Sequence, residues 1–155
     1  YYYKERLYVA NPDPISYSVN VYEHNLETDT FSEDPIDVIP LDSKPITVQA
    51  NDDYIFIGLH DNGGCYIKLL GADNTNDSNF TIASGYNIQD IQLFDNYIAL
   101  SAGYGGSLIY KWNGFGEPQL VFLLTNVYAY KTVVYDDLNI IVGTKDDFHI
   151  YEIER

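Results

Sequence analysis

The sequence contains a single cysteine, Cys65, and no methionine among its 155 residues. One cysteine excludes a disulfide within the chain, and no Cys-His spacing suggests an activated thiol, so Cys65 is predicted to be a small apolar strand residue. No apolar run approaches the 18 residues of a membrane span, so no membrane partner is predicted. The chain begins YYYKERLYVAN, without an initiating methionine or a signal peptide, which predicts a processed product or a fragment.

Basic residues are also scarce, because 8 Lys and Arg face 23 Asp and Glu, for a net charge of −15. That field repels a phosphate backbone and an anionic membrane surface, so nucleic acid is excluded as a partner. Acidic excess on a small domain is more typical of solubility than of binding. What the chain has instead is tyrosine, 16 residues of it, which favours strands and half-buried surfaces.

A stretch of apolar strands and polar bends recurs along the chain. The three clear copies are NDDYIFIGLHDNGGCYIKL from Asn51, FDNYIALSAGYGGSLIYKW from Phe94 and YDDLNIIVGTKDDFHIYEI from Tyr135. Tyr54, Tyr97 and Asn139 correspond, at offsets of 43 and 42 residues. A weaker copy, KERLYVANPDPISYSVNVYEH, begins at Lys4 and places Leu7 at the position of Tyr54.

Self-similarity at this period, built only from strands, is the signature of propeller blades. The sequence therefore predicts an all-β fold of about three and a half to four repeats of roughly 42–47 residues, each with four antiparallel strands. The blades are predicted at approximately 1–40, 41–84, 85–126 and 127–155. The strands that begin at Tyr54, Tyr97 and Asn139 are almost continuously apolar, as expected where neighbouring blades cover both faces.

The last repeat ends at IYEIER, after its third strand, and the first repeat lacks a clear inner strand. We therefore expect either a single propeller domain over 1–155 or the C-terminal part of a larger propeller. A missing outer strand leaves an open sheet edge that invites pairing with another chain. The expected partners include a complementary propeller fragment and a second copy of this chain.

The glycine-rich bend at Gly103, Gly105 and Gly106 allows two interpretations, a hairpin or a phosphate-binding loop. It matches Asn62-Gly63-Gly64 one repeat earlier, and neither a helix start nor a lysine follows it as a phosphate site requires. The hairpin is favoured, with glycine supplying positive φ in a tight connection.

The third strands end in a shared tripeptide: Val21-Tyr22-Glu23, Ile109-Tyr110-Lys111 and Ile150-Tyr151-Glu152. These endings take the place of the closing Trp-Asp of the WD40-like β-propeller superfamily, which the chain resembles over nearly its whole length. Trp112-Asn113 is the nearest approach to that dipeptide, and the family's Gly-His dipeptide is absent. The resemblance implies a rigid platform for protein partners, without catalysis and without a cofactor.

Candidate binding residues are predicted in the connections between second and third strands and in those between blades, which we expect on one side of the domain. They are Asp42, His60, Asp61, Tyr86, Tyr104 and Tyr128. Exposed tyrosines mixed with carboxylates suit a protein or peptide partner, although Tyr86 and Tyr128, equivalent in the repeat, could instead pack between blades. Alternative functions are an extracellular domain that recognises glycan or peptide through Tyr86, Tyr104, Tyr128 and Trp112, and half of a propeller enzyme that another chain completes.

Other polar patterns are assigned to structure and not to chemistry. The acidic turns at Asp52-Asp53, Asp95-Asn96 and Asp136-Asp137 are predicted to bond their own backbone. Asp73, Thr75, Asp77 and Asn79 begin a calcium-loop pattern whose glycine and final acid are missing, so no metal is predicted. Asn76 and Asn79 lie in glycosylation sequons, which matter only in a secreted protein. His60 and Asp61 are expected to point apart, as neighbours on a strand do, which disfavours a catalytic dyad.

Overall fold

The computed structural model describes residues 1–71, 79–136 and 139–152, and all regular structure within them is β. The prediction of an all-β fold is confirmed. The strands are β1 Tyr2–Tyr3, β2 Arg6–Asn11, β3 Ser18–Asn25, β4 Thr30–Phe31, β5 Asp37–Pro40, β6 Pro45–Ala50, β7 Tyr54–Leu59, β8 Gly64–Leu69, β9 Asn79–Ile82, β10 Asp90–Phe94, β11 Tyr97–Ser101, β12 Ser107–Lys111, β13 Gln119–Leu124, β14 Lys131–Val134, β15 Asn139–Gly143 and β16 Phe148–Glu152.

These strands form four antiparallel sheets that follow one another in the chain. Sheet 1 has the order β1-β2-β3, with β5 beside β3 and β4 paired to the far end of β3. Sheet 2 is β6-β7-β8-β9, sheet 3 is β10-β11-β12-β13, and sheet 4 is β14-β15-β16 within the described residues. In sheets 2, 3 and 4 each strand pairs antiparallel with its successor in the chain.

The register is shared between the repeats. Tyr54 pairs with Leu69, Tyr97 with Lys111, and Asn139 with Glu152, so the predicted equivalence of these three repeats is confirmed.

In the first repeat the predicted equivalence of Leu7 with Tyr54 is wrong by one residue. Tyr8 pairs with Val21 as Ala99 pairs with Ile109, and Arg6 therefore takes the place of Tyr54. The reason is the two-residue period of a strand, since a slip of one residue would turn every side chain to the other face.

Three apolar clusters join consecutive sheets. One packs Tyr8, Val19 and Val21 of sheet 1 against sheet 2; the second lies between sheets 2 and 3, and the third between sheets 3 and 4. We call the face of a sheet that is turned to the following sheet its forward face, and the opposite face its backward face. In β7, Ile55 and Ile57 lie on the backward face and Phe56 lies on the forward face, so the strand is buried on both sides as predicted.

A buried hydroxyl chain crosses the space between sheets 3 and 4. Ser101 on the forward face of sheet 3 donates to Thr132 Oγ1 over 3.0 Å, and Thr132 donates to Ser107 Oγ over 2.8 Å. All three side chains are fully buried. Because buried hydroxyls without partners are costly, this chain ties the two sheets in one relative position.

Gly58 is enclosed by Thr47, its cross-strand partner in sheet 2, and by Ile88 of the connection that leads to sheet 3. A Cβ atom on Gly58 would stand 2.5 Å from Thr47 Cγ2 and 2.8 Å from Ile88 Cγ2, distances that real Cβ atoms do not tolerate. We expect Gly58→Ala to lower the free energy of unfolding by about 1–3 kcal/mol, measured by denaturant titration. Gly143 is the control, since it holds the equivalent register position in sheet 4 and its Cβ would meet nothing nearer than 3.7 Å. An equal loss in Gly143→Ala would contradict the close approach.

The hydroxyl chain predicts that substitutions of its three residues have coupled effects on the free energy of unfolding. Thr132→Val leaves Ser101 without its acceptor and Ser107 without its donor, so the free energy of unfolding should fall by about 1–3 kcal/mol. The same substitution in a Ser101→Ala, Ser107→Ala background should cost clearly less, because no hydroxyl is left unpaired. Equal costs in the two backgrounds, measured by denaturant unfolding, would show that the three hydroxyls act independently.

Candidate functional site

Backbone hydrogen bonds gather two sets of connections on one side of the stack, which we call the loop side. The bend between β7 and β8 is bonded to the connection between β9 and β10: Gly64 N donates to Tyr86 O over 3.0 Å, and Gly85 N donates to Asn62 O over 2.9 Å. Asn62 N also donates to the side-chain oxygen of Asn87 over 2.7 Å. The expectation that both kinds of connection share one side is met at this junction.

The next junction repeats the arrangement. Gly103 and Ala129 exchange both backbone hydrogen bonds, at 3.1 and 2.9 Å, and so join the β11–β12 bend to the connection before β14. His60 N donates to Lys44 O and places the connection between sheets 1 and 2 on the same side. The loop side thus carries all six predicted binding residues: Asp42, His60, Asp61, Tyr86, Tyr104 and Tyr128.

The glycine-rich bend is a hairpin connection, as predicted. Gly103 and Gly106 have φ of 55° and 83°, and Gly64, the equivalent of Gly106, has φ of 74°. Gly105 does not have a positive φ. A larger residue is disfavoured here because its Cβ atom would lie 2.6 Å from the ring of Tyr86.

A cluster of three tyrosines stands on the loop side beside this bend. Tyr104 is 91% exposed, and its ring meets Tyr128 edge-on with centroids 4.6 Å apart. Tyr128 in turn lies 4.6 Å from Tyr130, which is also exposed. We call these three residues the tyrosine cluster.

Tyr130 is not among the binding residues predicted from the sequence, although a signal is present: Tyr128 and Tyr130 are two residues apart, the spacing that puts extended residues on one face.

The equivalent residues Tyr86 and Tyr128 have partly structural roles. The ring of Tyr86 covers Gly105, and the ring of Tyr128 covers Gly103, with Cζ 3.3 Å from the place of a Cβ. Both tyrosines are half-buried. The alternative prediction, that Tyr86 and Tyr128 pack between neighbouring repeats, is therefore confirmed in part. Tyr104 is the predicted binding tyrosine that projects into solvent.

His60 and Asp61 do not point apart as expected. His60 Nδ1 lies 3.1 Å from Asp61 Oδ1, because Asp61 has left the extended conformation and adopts φ of 54° in the turn. Both side chains are exposed, so solvent screens the pair. Asp42, also exposed, lines a neighbouring cavity of about 560 Å³ together with Ser43, Gly63 and Tyr66.

The opposite side of the stack, which we call the turn side, carries the turns after β6 and β10 and the segment after β12. A cavity of about 240 Å³ lies here between sheets 2 and 3, lined by Tyr54, Tyr97 and Trp112 and by the acidic residues Asp53 and Asp95. Trp112 packs on Tyr54 with ring centroids 4.6 Å apart, and its Nε1 donates to Gly116 O over 3.0 Å.

The four residues predicted to recognise glycan or peptide, Tyr86, Tyr104, Tyr128 and Trp112, therefore do not all lie on one side of the stack. Trp112 is buried and follows the end of β12, whereas Tyr104 precedes the start of that strand. A strand of five residues separates the two sides.

The prediction that the acidic turns bond their own backbone is confirmed at Asp136, whereas in the turn at Asp52-Asp53 the preceding Asn51 is the acceptor. Asp136 Oδ1 accepts from Asn139 N over 2.8 Å, and Asn51 does the same for Asp53 and Tyr54. Asp137 lies outside the described residues. Among the residues that are described, no group of three or more His, Cys, Asp or Glu side chains is arranged to hold a metal ion.

The remaining predicted positions divide between described and undescribed residues. Asn76 and the calcium-pattern positions Asp73, Thr75 and Asp77 lie outside the described residues. Asn79 begins β9 and is half-buried, and its Oδ1 atom has no hydrogen-bond partner among the described residues. Cys65 is fully buried, and burial raises the pKa of its thiol far above the ordinary value, as expected of an inert strand residue.

Asp52 ties the first strand of the chain to the turn of sheet 2. Its carboxylate lies 2.6 Å from Lys4 Nζ and accepts a hydrogen bond from the Tyr3 hydroxyl. The Lys4 ammonium, followed by the Tyr3 hydroxyl, holds the pKa of Asp52 below its ordinary value.

This pair predicts an acid-dependent contribution to stability. A lowered pKa in the folded state means that the contribution is present above the ordinary carboxyl pKa of about 3.9 and is lost as the pH falls through the lower, folded value. Asp52→Asn should therefore lower the thermal midpoint at pH 7, and its difference from the wild type should vanish in acid. Asp53→Asn removes the same charge from the adjacent residue and is the control. A difference that persists in acid would contradict the assignment.

The described residues include no helix long and apolar enough to span a membrane. No protein-family model matches the chain, and no curated protein matches it.

Proposed function

We propose that this chain is part of a β-propeller of the WD40-like kind and serves as a non-catalytic interaction and assembly platform for a protein or peptide partner. Four antiparallel sheets, stacked face to face in chain order and repeating with one register, support the blade arrangement. Within this reading the sheets are the rigid frame, and the connections on the loop side are the surface that meets the partner.

The observation that carries the proposal is the tyrosine cluster. Tyr104 stands almost fully exposed on a bend whose backbone is fixed by hydrogen bonds, with Tyr128 supporting its ring. A tyrosine held in this way supplies contact area and a hydroxyl at little cost in conformational entropy. Such aromatic anchors are typical of the centre of protein interfaces.

Charge indicates the kind of partner. The chain carries a net charge of −15, and the loop side presents the exposed carboxylates of Asp42 and Asp61 in addition to the tyrosine cluster. Lysine and arginine side chains pair with carboxylates and also stack on tyrosine rings. A peptide with alternating basic and apolar residues fits this surface better than an acidic one.

The test is selection from a displayed library of random short peptides, followed by affinity measurement of the enriched sequences. We expect enrichment of basic peptides, and we expect Tyr104→Ala to weaken their binding about tenfold or more while the thermal midpoint stays unchanged. Phe115→Ala is the control, because Phe115 is an exposed aromatic residue on the turn side. No enrichment, or equal binding by Tyr104→Ala, would overturn the proposal.

Glycan recognition is the second candidate function, favoured by the cavity on the turn side. The half-buried ring of Tyr54 beside the carboxylates of Asp53 and Asp95 combines the apolar face and the hydrogen-bond acceptors that a sugar ring requires. Binding on a glycan array that Tyr104→Ala leaves intact would place recognition here. A glycan signal that this substitution abolishes would return it to the loop side.

A further inference from the structure

Two end faces of the stack are not covered by another described sheet: the forward face of sheet 4, which is apolar, and the backward face of sheet 1, which is mixed. On the second face, Asn11 donates to Ser18 Oγ over 3.3 Å and Ser18 donates to Asn20 Oδ1 over 3.0 Å, beside apolar residues. Ile150 pairs with Ile141 on the first of these faces, beside Phe148. Val9 lies on the second face, where Asn20, its cross-strand partner, stands next to Val38. Among the described residues, the apolar clusters join sheets 1, 2, 3 and 4 in sequence, and none joins sheet 4 to sheet 1.

The shared register shows what the forward face of sheet 4 lacks. Ile67, Ile109 and Ile150 hold equivalent positions. Each pairs with the third residue of the strand that precedes its own strand in the chain. Ile67 and Ile109 are 0% exposed because the following sheet covers them, whereas Ile150 is 59% exposed. The same residue type at the same position is therefore buried twice and bare once.

The backward face of sheet 1 lacks a preceding sheet among the described residues. Ile57, Leu100 and Val142 are equivalent to Val9 and are 0% exposed beneath the preceding sheet, while Val9 is 39% exposed. Every internal contact joins one forward face to one backward face. Among the described sheets, one face of each kind remains without such a contact.

We infer that these two faces bind one another between two copies of this chain, the forward face of sheet 4 in one copy covering the backward face of sheet 1 in the other. The inference rests on the stacked-blade arrangement of the proposed function. It continues the internal sheet-to-sheet contact across a molecular boundary, with the same pairing of faces. Two such contacts, related by a two-fold axis, close two copies into one ring and leave neither face bare.

Like charge sets the conditions for this association. Each copy carries a net charge of −15, so the two copies repel at low ionic strength. Salt screens that repulsion and leaves the apolar contact in place. Association between copies should therefore strengthen as salt is added, the opposite of what a basic peptide bound to the loop side would show.

The experiment is sedimentation equilibrium of the 155-residue chain over a range of salt concentrations, with native mass spectrometry to fix the stoichiometry. We expect two copies, tighter at higher salt. Ile150→Lys and Val9→Glu should each weaken the dimer about tenfold or more, because each buries a charge in the contact between the two faces. Both positions are exposed in the single chain, so the thermal midpoint of the monomer should change little. Phe115→Lys adds the same charge on the turn side and should leave the dimer intact.

Mixing the two variants gives the sharpest readout. In a mixed pair, the introduced lysine of one chain would face the introduced glutamate of the other across one contact, and the second contact would be wild type on both sides. An equimolar mixture of Ile150→Lys and Val9→Glu should therefore restore the dimer that neither variant forms alone.

A wild-type chain that stays monomeric, a dimer that survives both substitutions, or an open series of larger assemblies would overturn the inference. Peptide binding separates this result from the proposed function. A monomeric Ile150→Lys variant that still binds the selected peptides retains the loop-side platform, whereas a dimer that binds no peptide supports the pairing of the end faces alone.

Discussion

The alternation of side chains across each strand is the constraint on which the rest of the structure depends. In β7 and β11, successive residues point into two different spaces between sheets, so one strand contributes to two apolar clusters at once. Such a strand cannot slip by one residue without moving each set of side chains into the space that is packed around the other set. The stacking of the sheets and the pairing within each sheet are therefore a single property of the sequence, and each stabilises the other.

The loop side inherits its geometry from this stacking. The bend after β11 and the connection before β14 belong to different sheets, and they exchange hydrogen bonds at Gly103 and Ala129 only because those sheets are held face to face. The tyrosine cluster spans the same two elements, since Tyr104 lies on the bend and Tyr128 on the connection. The surface proposed to bind a partner is thus a consequence of the packing beneath it.

The strands, the hairpins between them and the side of the stack on which each connection lies could be predicted from the sequence, because the same pattern recurs in each repeat. The position of Tyr104 and its neighbours on the loop side was predicted from this recurring pattern. The errors fall where the repeat is irregular or where a turn changes direction. The first repeat is longer than the others, and for this repeat the predicted register was wrong by one residue. The left-handed backbone at Asp61 turned its carboxylate towards His60, a change that no residue pattern announces.

The spaces between sheets also differ in chemistry, and this difference decides which sheets belong together. Gly58 and Cys65 in sheet 2 hold the register positions of Ser101 and Ser107 in sheet 3. An apolar face such as the backward face of sheet 3 fits the first pair, while the serines require the hydroxyl of Thr132. Sheets stacked in another order would leave these hydroxyls buried without partners. In sheet 4 the same two positions are Gly143 and Phe148, which carry no hydrogen-bonding side chain. The forward face of sheet 4 therefore resembles that of sheet 2 at these two positions, and it needs no hydroxyl from a neighbouring sheet there.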